Sequence, residues 1–169
     1  MKIGPLDIDR HEAAAVALAR DAFVESFGSS ERFEREHGVN GERLAPFLRA
    51  RQQRDPRWVS GAEENGRLVG LLVLGEHAGP PPCGHLMLLS VEPGVRGSGL
   101  ASQLLALGVE TLRSHGWDRA RLHVTVRNAR AVRFYLREGW TDAGESSVPG
   151  VRIFERELGS RGDQPSGER

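Results

Sequence analysis

Three features of the chain carry atoms suited to chemistry. The first is the run Val91-Glu-Pro-Gly-Val-Arg-Gly-Ser-Gly-Leu-Ala101, in which Arg96 is followed by Gly97 and Gly99. Glycines there let the backbone approach a ligand with no Cβ in the way, and Arg96 adds a permanent charge. If a helix begins at the end of this run, its unpaired N–H groups and positive dipole end suit a diphosphate. The second feature is Tyr135, the sole tyrosine, a phenol able to donate a proton or a hydrogen bond. The third is histidine, six in the chain, whose imidazole titrates near neutrality and can serve as a base. Two familiar phosphate loops fail on spacing. A Walker loop needs Lys and then Ser or Thr where Leu100 and Ala101 stand. A dinucleotide fingerprint wants Gly or Ala in place of Ser102, with an acid ending the next strand, whereas Asp118 lies before it.

The elements that must position these groups follow from hydrophobic spacing. Ile3 to Leu6 reads as a short strand, confined by Pro5 to an edge or an end. Asp9 suits an N-cap, before a helix reaching about Phe27 with Ala15, Leu18, Ala22 and Val24 at helical spacing. The polar stretch between Gly28 and Gly41 reads as a mobile segment. A second helix is expected from Glu42 to about Arg51, with Leu44, Phe47 and Leu48 on one side and Pro56 closing it. Trp58 to Ala62 and Leu68 to Leu74 flank Asn65-Gly66, a strong hairpin signal. A proline-rich linker containing Cys83 follows. Then come a strand His85 to Val91, a helix Ala101 to Leu112, a strand Arg121 to Val126, a helix Ala129 to Glu138 and a strand Val151 to Leu158. This order reads as α/β around a mixed sheet. We expect one domain, 1–158, and a disordered tail, 159–169, which lacks apolar residues.

With the loop between a strand and a helix, Arg96-x-x-Gly99-x-Ala101 resembles the acetyl-CoA signature of the GNAT N-acetyltransferases, and Val91-x-Pro93 resembles its usual lead-in. Leu122-x-Val124-x-x-x-Asn128-x-x-Ala131-x-x-Phe134-Tyr135-x-x-x-Gly139-Trp140 is similar to the second half of that signature, which often ends in Gly-Phe. The specific likeness covers residues 85–140. It implies a mostly antiparallel sheet flanked by helices, with a splayed central strand pair that binds acetyl-CoA. Leu89, Ser90 and Val91 would then offer main-chain groups to the pantetheine arm. Arg96, Gly97, Ser98, Gly99, Leu100 and Ala101 would hold the diphosphate, Asn128 would bond the cofactor arm, and Tyr135 would stand near the thioester sulfur. The implied activity is direct attack of a primary amine on the thioester in a ternary complex, with thiolate departure. Six residues before Val91, His85 occupies the place where some members carry a base. As the chain itself reads, His85 either takes the amine's proton or opens a strand facing solvent, and His123, His77 and Glu76 are rival bases. Tyr135 is either the acid to the departing thiolate or a buried aromatic. Arg130, Arg133 and Arg137 recur at helical spacing and either reach the ribose phosphate or form a solvated face.

Composition limits the alternatives. The 169 residues hold 23 basic and 23 acidic side chains, hence no net charge, which argues against nucleic acid and membrane partners. Neutrality conceals a local excess, since Arg96 to Glu138 carry arginines 96, 113, 119, 121, 127, 130, 133 and 137 against acids 110, 118 and 138. A single cysteine excludes a disulfide framework and points to a reducing compartment, and without a signal-like N-terminus the chain reads as cytoplasmic. No metal site is expected. The implied acceptor is a small-molecule or peptide amine, for which Glu31, Glu34 and Glu36 are candidate attractants, and a homodimer is frequent among proteins of this kind. The rival functional reading is an acyl-CoA-binding or sensing module with little or no turnover.

Overall fold

A computed structural model describes residues 1–159. The expected tail therefore lies outside the described residues but for Gly159. The chain opens with β1 (Lys2–Pro5), α1 (Ile8–Phe27), α2 (Glu31–His37) and α3 (Leu44–Gln52). It continues through β2 (Val59–Glu64), β3 (Arg67–His77), β4 (Cys83–Val91), α4 (Leu100–Ser114), β5 (Arg119–Thr125), α5 (Ala129–Arg137), β6 (Thr141–Glu145) and β7 (Val151–Glu157). The seven strands form one sheet in the order β1-β2-β3-β4-β5-β7-β6. Every neighbouring pair is antiparallel except β4 with β5. The mixed, mostly antiparallel architecture expected from the sequence is the one observed.

Both faces of the sheet are covered. On one, α4 and α5 contribute Leu104, Leu105, Leu112 and Tyr135 to a core with Leu72, Leu74, Leu122 and Trp140. On the other, α1, α2 and α3 bring Leu18, Phe33 and Leu48 against Leu71 and Val73. Because β3 is packed on both faces, it reads as a continuous apolar run instead of an alternation. The Asn65-Gly66 turn joins β2 to β3 with φ of 51° and 76°, the paired positive values that a tight hairpin needs.

Four expectations need correction. The N-cap of α1 is Asp7, whose Oδ1 accepts from Arg10 N at 3.1 Å; Asp9 lies inside the first turn and pairs with Arg49. The stretch expected to be mobile contains α2, anchored by a fully buried Phe33 whose ring meets Phe23 edge-on, centroids 5.6 Å apart. Cys83 is no linker residue: it opens β4 opposite His77 and is buried, which pushes its thiol pKa up. The strand β6, Thr-Asp-Ala-Gly-Glu, was not expected, because a mostly exposed polar edge strand has no apolar alternation to reveal it.

The feature that makes a site is the seam between β4 and β5. The two strands pair only at Gly84↔Ala120 and His85↔Arg121. Beyond that point β4 remains paired with β3 as far as Val91, and β5 with β7 as far as Thr125, so the edges facing each other are free. The register of β3 against β4 shifts by one between Val73 and Leu74, leaving Met87 as an extra residue on β4. A bulge of this kind bends its strand, and this one sits two residues past the last contact with β5.

Candidate active site

The separated strands enclose a cavity of about 820 Å³. His85, Leu89, Ser90, Val91, Arg96, Gly97, Gly99, Leu100, Ala101, Asn128 and Tyr135 all line it. Of the residues expected at the site, Ser98 alone is not in the wall: its hydroxyl donates back to Val95 O at 2.6 Å.

At the wide end, the glycine loop has the backbone conformation that its spacing suggested. Gly97 and Gly99 have φ of 79° and 86°, and a Cβ on either would meet nothing within 4 Å. Gly99 is the N-cap of α4 and supplies no side-chain cap, so the first N–H groups of α4 have no such partner. An open cradle, free helix N–H groups and two unpaired strand edges fit a phosphorylated cofactor with an amide-bearing arm. Arg96 donates to Val91 O at 3.3 Å and forms an ion pair with Glu25 at 2.6 Å; Glu25 also binds Arg130 at 2.8 Å. Glu25 thus ties α1 to the loop and to α5 across the mouth. Arg130, Arg133 and Arg137 all line the cavity.

Asn128 caps α5, its Oδ1 accepting from Ala131 N at 3.2 Å, which leaves the amide NH₂ as a donor. About two turns further on, Tyr135 is held between Phe134 and Trp140, with ring centroids at 5.1 and 6.1 Å. Burial raises its pKa well above the usual phenol value, so it stays protonated at neutral pH. Its hydroxyl makes no hydrogen bond to the described residues.

At the narrow end stand the histidines. His85 Nε2 lies 3.4 Å from His123 Nδ1. The register explains the contact: Arg121 pairs with His85, and two residues on, His123 faces the same side of the sheet. Burial first, then the neighbouring His123, His77, Arg121 and Arg51, lower the pKa of His85 to about 4. His123, more exposed, is also lowered, first by burial and then by His77, Arg121 and Arg32. His77 stands behind them, its Nδ1 accepting from Gly79 N at 3.1 Å. Of the four candidate bases only His85 and His123 line the cavity; Glu76 is paired with Arg54. Among the described residues no group of three or more His, Cys, Asp or Glu is arranged to hold a metal ion.

A further wall is formed by Phe23, Phe27, Arg32 and Glu36 from α1 and α2, and by Ser146, Ser147 and Val148 after β6. Two of the acids expected to attract an amine are occupied: Glu34 binds Arg20 at 3.2 Å and Ser30 at 2.9 Å, and Glu36 binds Arg32 at 2.9 Å. Glu25 was missed from the sequence. It lies 71 residues from Arg96, and no local pattern links the two.

A sheet that opens around a glycine loop at the mouth of a parallel strand pair is the architecture of the acyl-CoA-dependent acetyltransferase fold. The model of the Acetyltransferase (GNAT) family matches residues 15–140, and the chain belongs to that family. A mycothiol acetyltransferase from Thermobispora bispora is 34% identical over 139 residues, covering 78% of this chain and 43% of the relative. The chain thus spans less than half the length of that protein. Among solved structures, a PaiA N-acetyltransferase from Thermoplasma acidophilum in complex with coenzyme A superposes with a TM-score of 0.74 at 22% identity, over 92% of this chain and 98% of that one. YncA, a putative acetyltransferase from Salmonella typhimurium with its cofactor acetyl-CoA, gives 0.72 at 19% identity over 99% of each chain. No described helix is long and apolar enough to cross a membrane.

Proposed function

We propose that the chain transfers the acetyl group of acetyl-CoA to a primary amine by direct attack within a ternary complex. The observation that carries this reading is the convergence of the open strand edges, the glycine loop, Tyr135 and His85 on one cavity. Acetyl-CoA, when bound, supplies the acyl thioester. The loop amides and the α4 N-terminus hold its phosphates, and the β4 edge from Leu89 to Val91 pairs with its arm, as Asn128 does through its free NH₂.

Tyr135 donates a hydrogen bond to the departing sulfur. With its pKa raised, the phenol is a poor source of a whole proton for a thiolate whose own pKa is near 8.5, so steadying the charge is its main effect. His85 takes the proton lost by the amine and passes it to His123 at the more exposed side. Because His85 is a weak base, amines that are partly neutral at pH 7 suit it best. An alkylamine of pKa about 10.4 is neutral in fewer than one molecule in a thousand, a handicap of roughly 4 to 5 kcal/mol; an α-amine near 7.8 loses only about 1 kcal/mol.

The test is Tyr135→Phe, assayed by thiol release against a broad amine panel. Turnover should fall by about 100-fold while KM for acetyl-CoA changes by less than about 2-fold. Equal turnover at saturating cofactor would remove Tyr135 from the chemistry. A wild-type protein that binds acetyl-CoA yet releases no thiol with any amine would instead be an acyl-CoA sensor.

A further inference from the structure

A second cavity, of about 420 Å³, opens off the α1 and α2 side of the first. The end of α1 and the start of α2 form one wall, and the turns after β5 and before β7 form the other. The two cavities share Ser26, Phe27, Arg32, Thr125, Val148 and Val151, so a ligand in one can extend into the other.

Its charge is the opposite of what the glutamates of α2 suggested. Arg32, Arg35 and Arg127 line it against a single acid, Glu31. Arg32 is partnered by Glu36. Arg35 and Arg127 have no carboxylate partner among the described residues. Arg127 reaches back toward α1: its guanidinium lies beside Gly28, where a Cβ would come within 2.9 Å of Cζ. Gly28 is the left-handed cap that ends α1, so the cation sits at the negative end of that helix. Between the two cavities, the buried hydroxyl of Thr125 finds no hydrogen-bond partner.

Taking the larger cavity as the site of acetyl transfer, we infer that the acceptor carries an anionic group, carboxylate or phosphate, set apart from its amine, and that Arg35 and Arg127 receive it. The amine lies toward His85, and the anion extends away from the thioester between α2 and the turn after β5. Two unpaired guanidiniums at the entrance also disfavour acceptors with a second positive charge.

The experiment uses matched acceptors that differ in one group: an ω-amino acid and its carboxamide, and an aminoalkyl phosphate and its dimethyl ester, a phosphotriester neutral at phosphorus. Each is assayed by thiol release with the wild-type protein and with Arg35→Glu/Arg127→Glu, both sites being exposed. The wild type should favour the anionic member of a pair by about 5- to 10-fold in kcat/KM, and the double variant should abolish or invert that ratio with KM for acetyl-CoA unchanged. The carboxylate and phosphate arms tell which anion fits better. Thiol release with equal rates for charged and neutral members, or a preference untouched by charge reversal, would overturn the inference and leave the transferase reading intact. Calorimetric binding of the same pairs, with coenzyme A present, separates the two ideas: arginine-dependent binding of the anionic members without thiol release supports the subsite and sinks the transferase.

Discussion

Replacing His123 by asparagine tests the proposed proton path at its most exposed point. In the native protein the imidazoles of His85 and His123 have ring centroids 5.4 Å apart. A unit charge at that distance acts by about 3 kcal/mol at an effective dielectric near 20, and by about 0.8 kcal/mol in water. At 1.36 kcal/mol per unit this spans roughly 0.6 to 2 pKa units, and the exposure of His123 selects the lower half of the range. The sign follows from charge. In the proposed role His85 is the neutral base, and a protonated neighbour disfavours a second positive charge on the pair, so removing His123 lets His85 protonate more easily. Its pKa should therefore rise from about 4 to about 5. At pH 5 the neutral fraction would fall from about nine-tenths to about one-half, and the acid limb of turnover would move up with it. Carbon–proton NMR titration of the histidine rings, with His85 assigned through its own variant, reads the midpoint directly. A midpoint that stays put or falls would refute the coupling, and a native midpoint near 6.5 would refute the buried-base argument altogether.

Two further outcomes concern the cofactor end. Gly99→Ala forces a left-handed residue at the cap of α4, where no neighbour is crowded, so the cost is backbone strain of about 1 to 2 kcal/mol. Its thermal midpoint should drop by several degrees and KM for acetyl-CoA should rise at least about tenfold, because the new methyl fills the cradle; a change in stability with no change in KM would exclude the loop from phosphate binding. Glu25→Gln frees Arg96 and Arg130 from their shared carboxylate, and acetyl-CoA should bind about 2- to 5-fold more tightly at low salt, by calorimetry. Weaker binding would mean that Glu25 holds the two arginines in place for the phosphates instead of competing with them.

What was legible in the sequence was whatever local geometry demands. Gly97 and Gly99 announce positive φ, Asn65-Gly66 a hairpin, and the spacing of Leu104, Leu105 and Leu112 a buried helix face. That the motif residues, Ser98 apart, would gather around one cavity was legible because each cluster lies on one loop and its flanking elements. What stayed hidden depends on register and on long-range packing. That His123 meets His85 follows from the pairing of β4 with β5, which is 38 residues of separation away from any local signal. Phe33 looked like one apolar residue in a charged stretch until α1 and α3 closed over it. Likewise, three glutamates suggested a cation-attracting entrance, yet Arg20 and Arg32 claim two of them and Arg127, from beyond β5, reverses the local sign.

The seam between β4 and β5 bears on solubility as well as on catalysis. An unpaired strand edge is ordinarily a liability, since it can recruit a strand from another chain and start aggregation. Here the two free edges face each other inside the sheet, closed at one end by the pairs at Gly84 and His85 and walled by residues of α1 and α5. A foreign strand cannot lie along one edge without meeting the other. The outer edges are guarded differently, β1 by its four-residue length and Pro5, and β6 by the charges of Asp142 and Glu145. The fold thereby keeps a stretch of backbone hungry for hydrogen bonds while admitting only partners slim enough to enter a cleft.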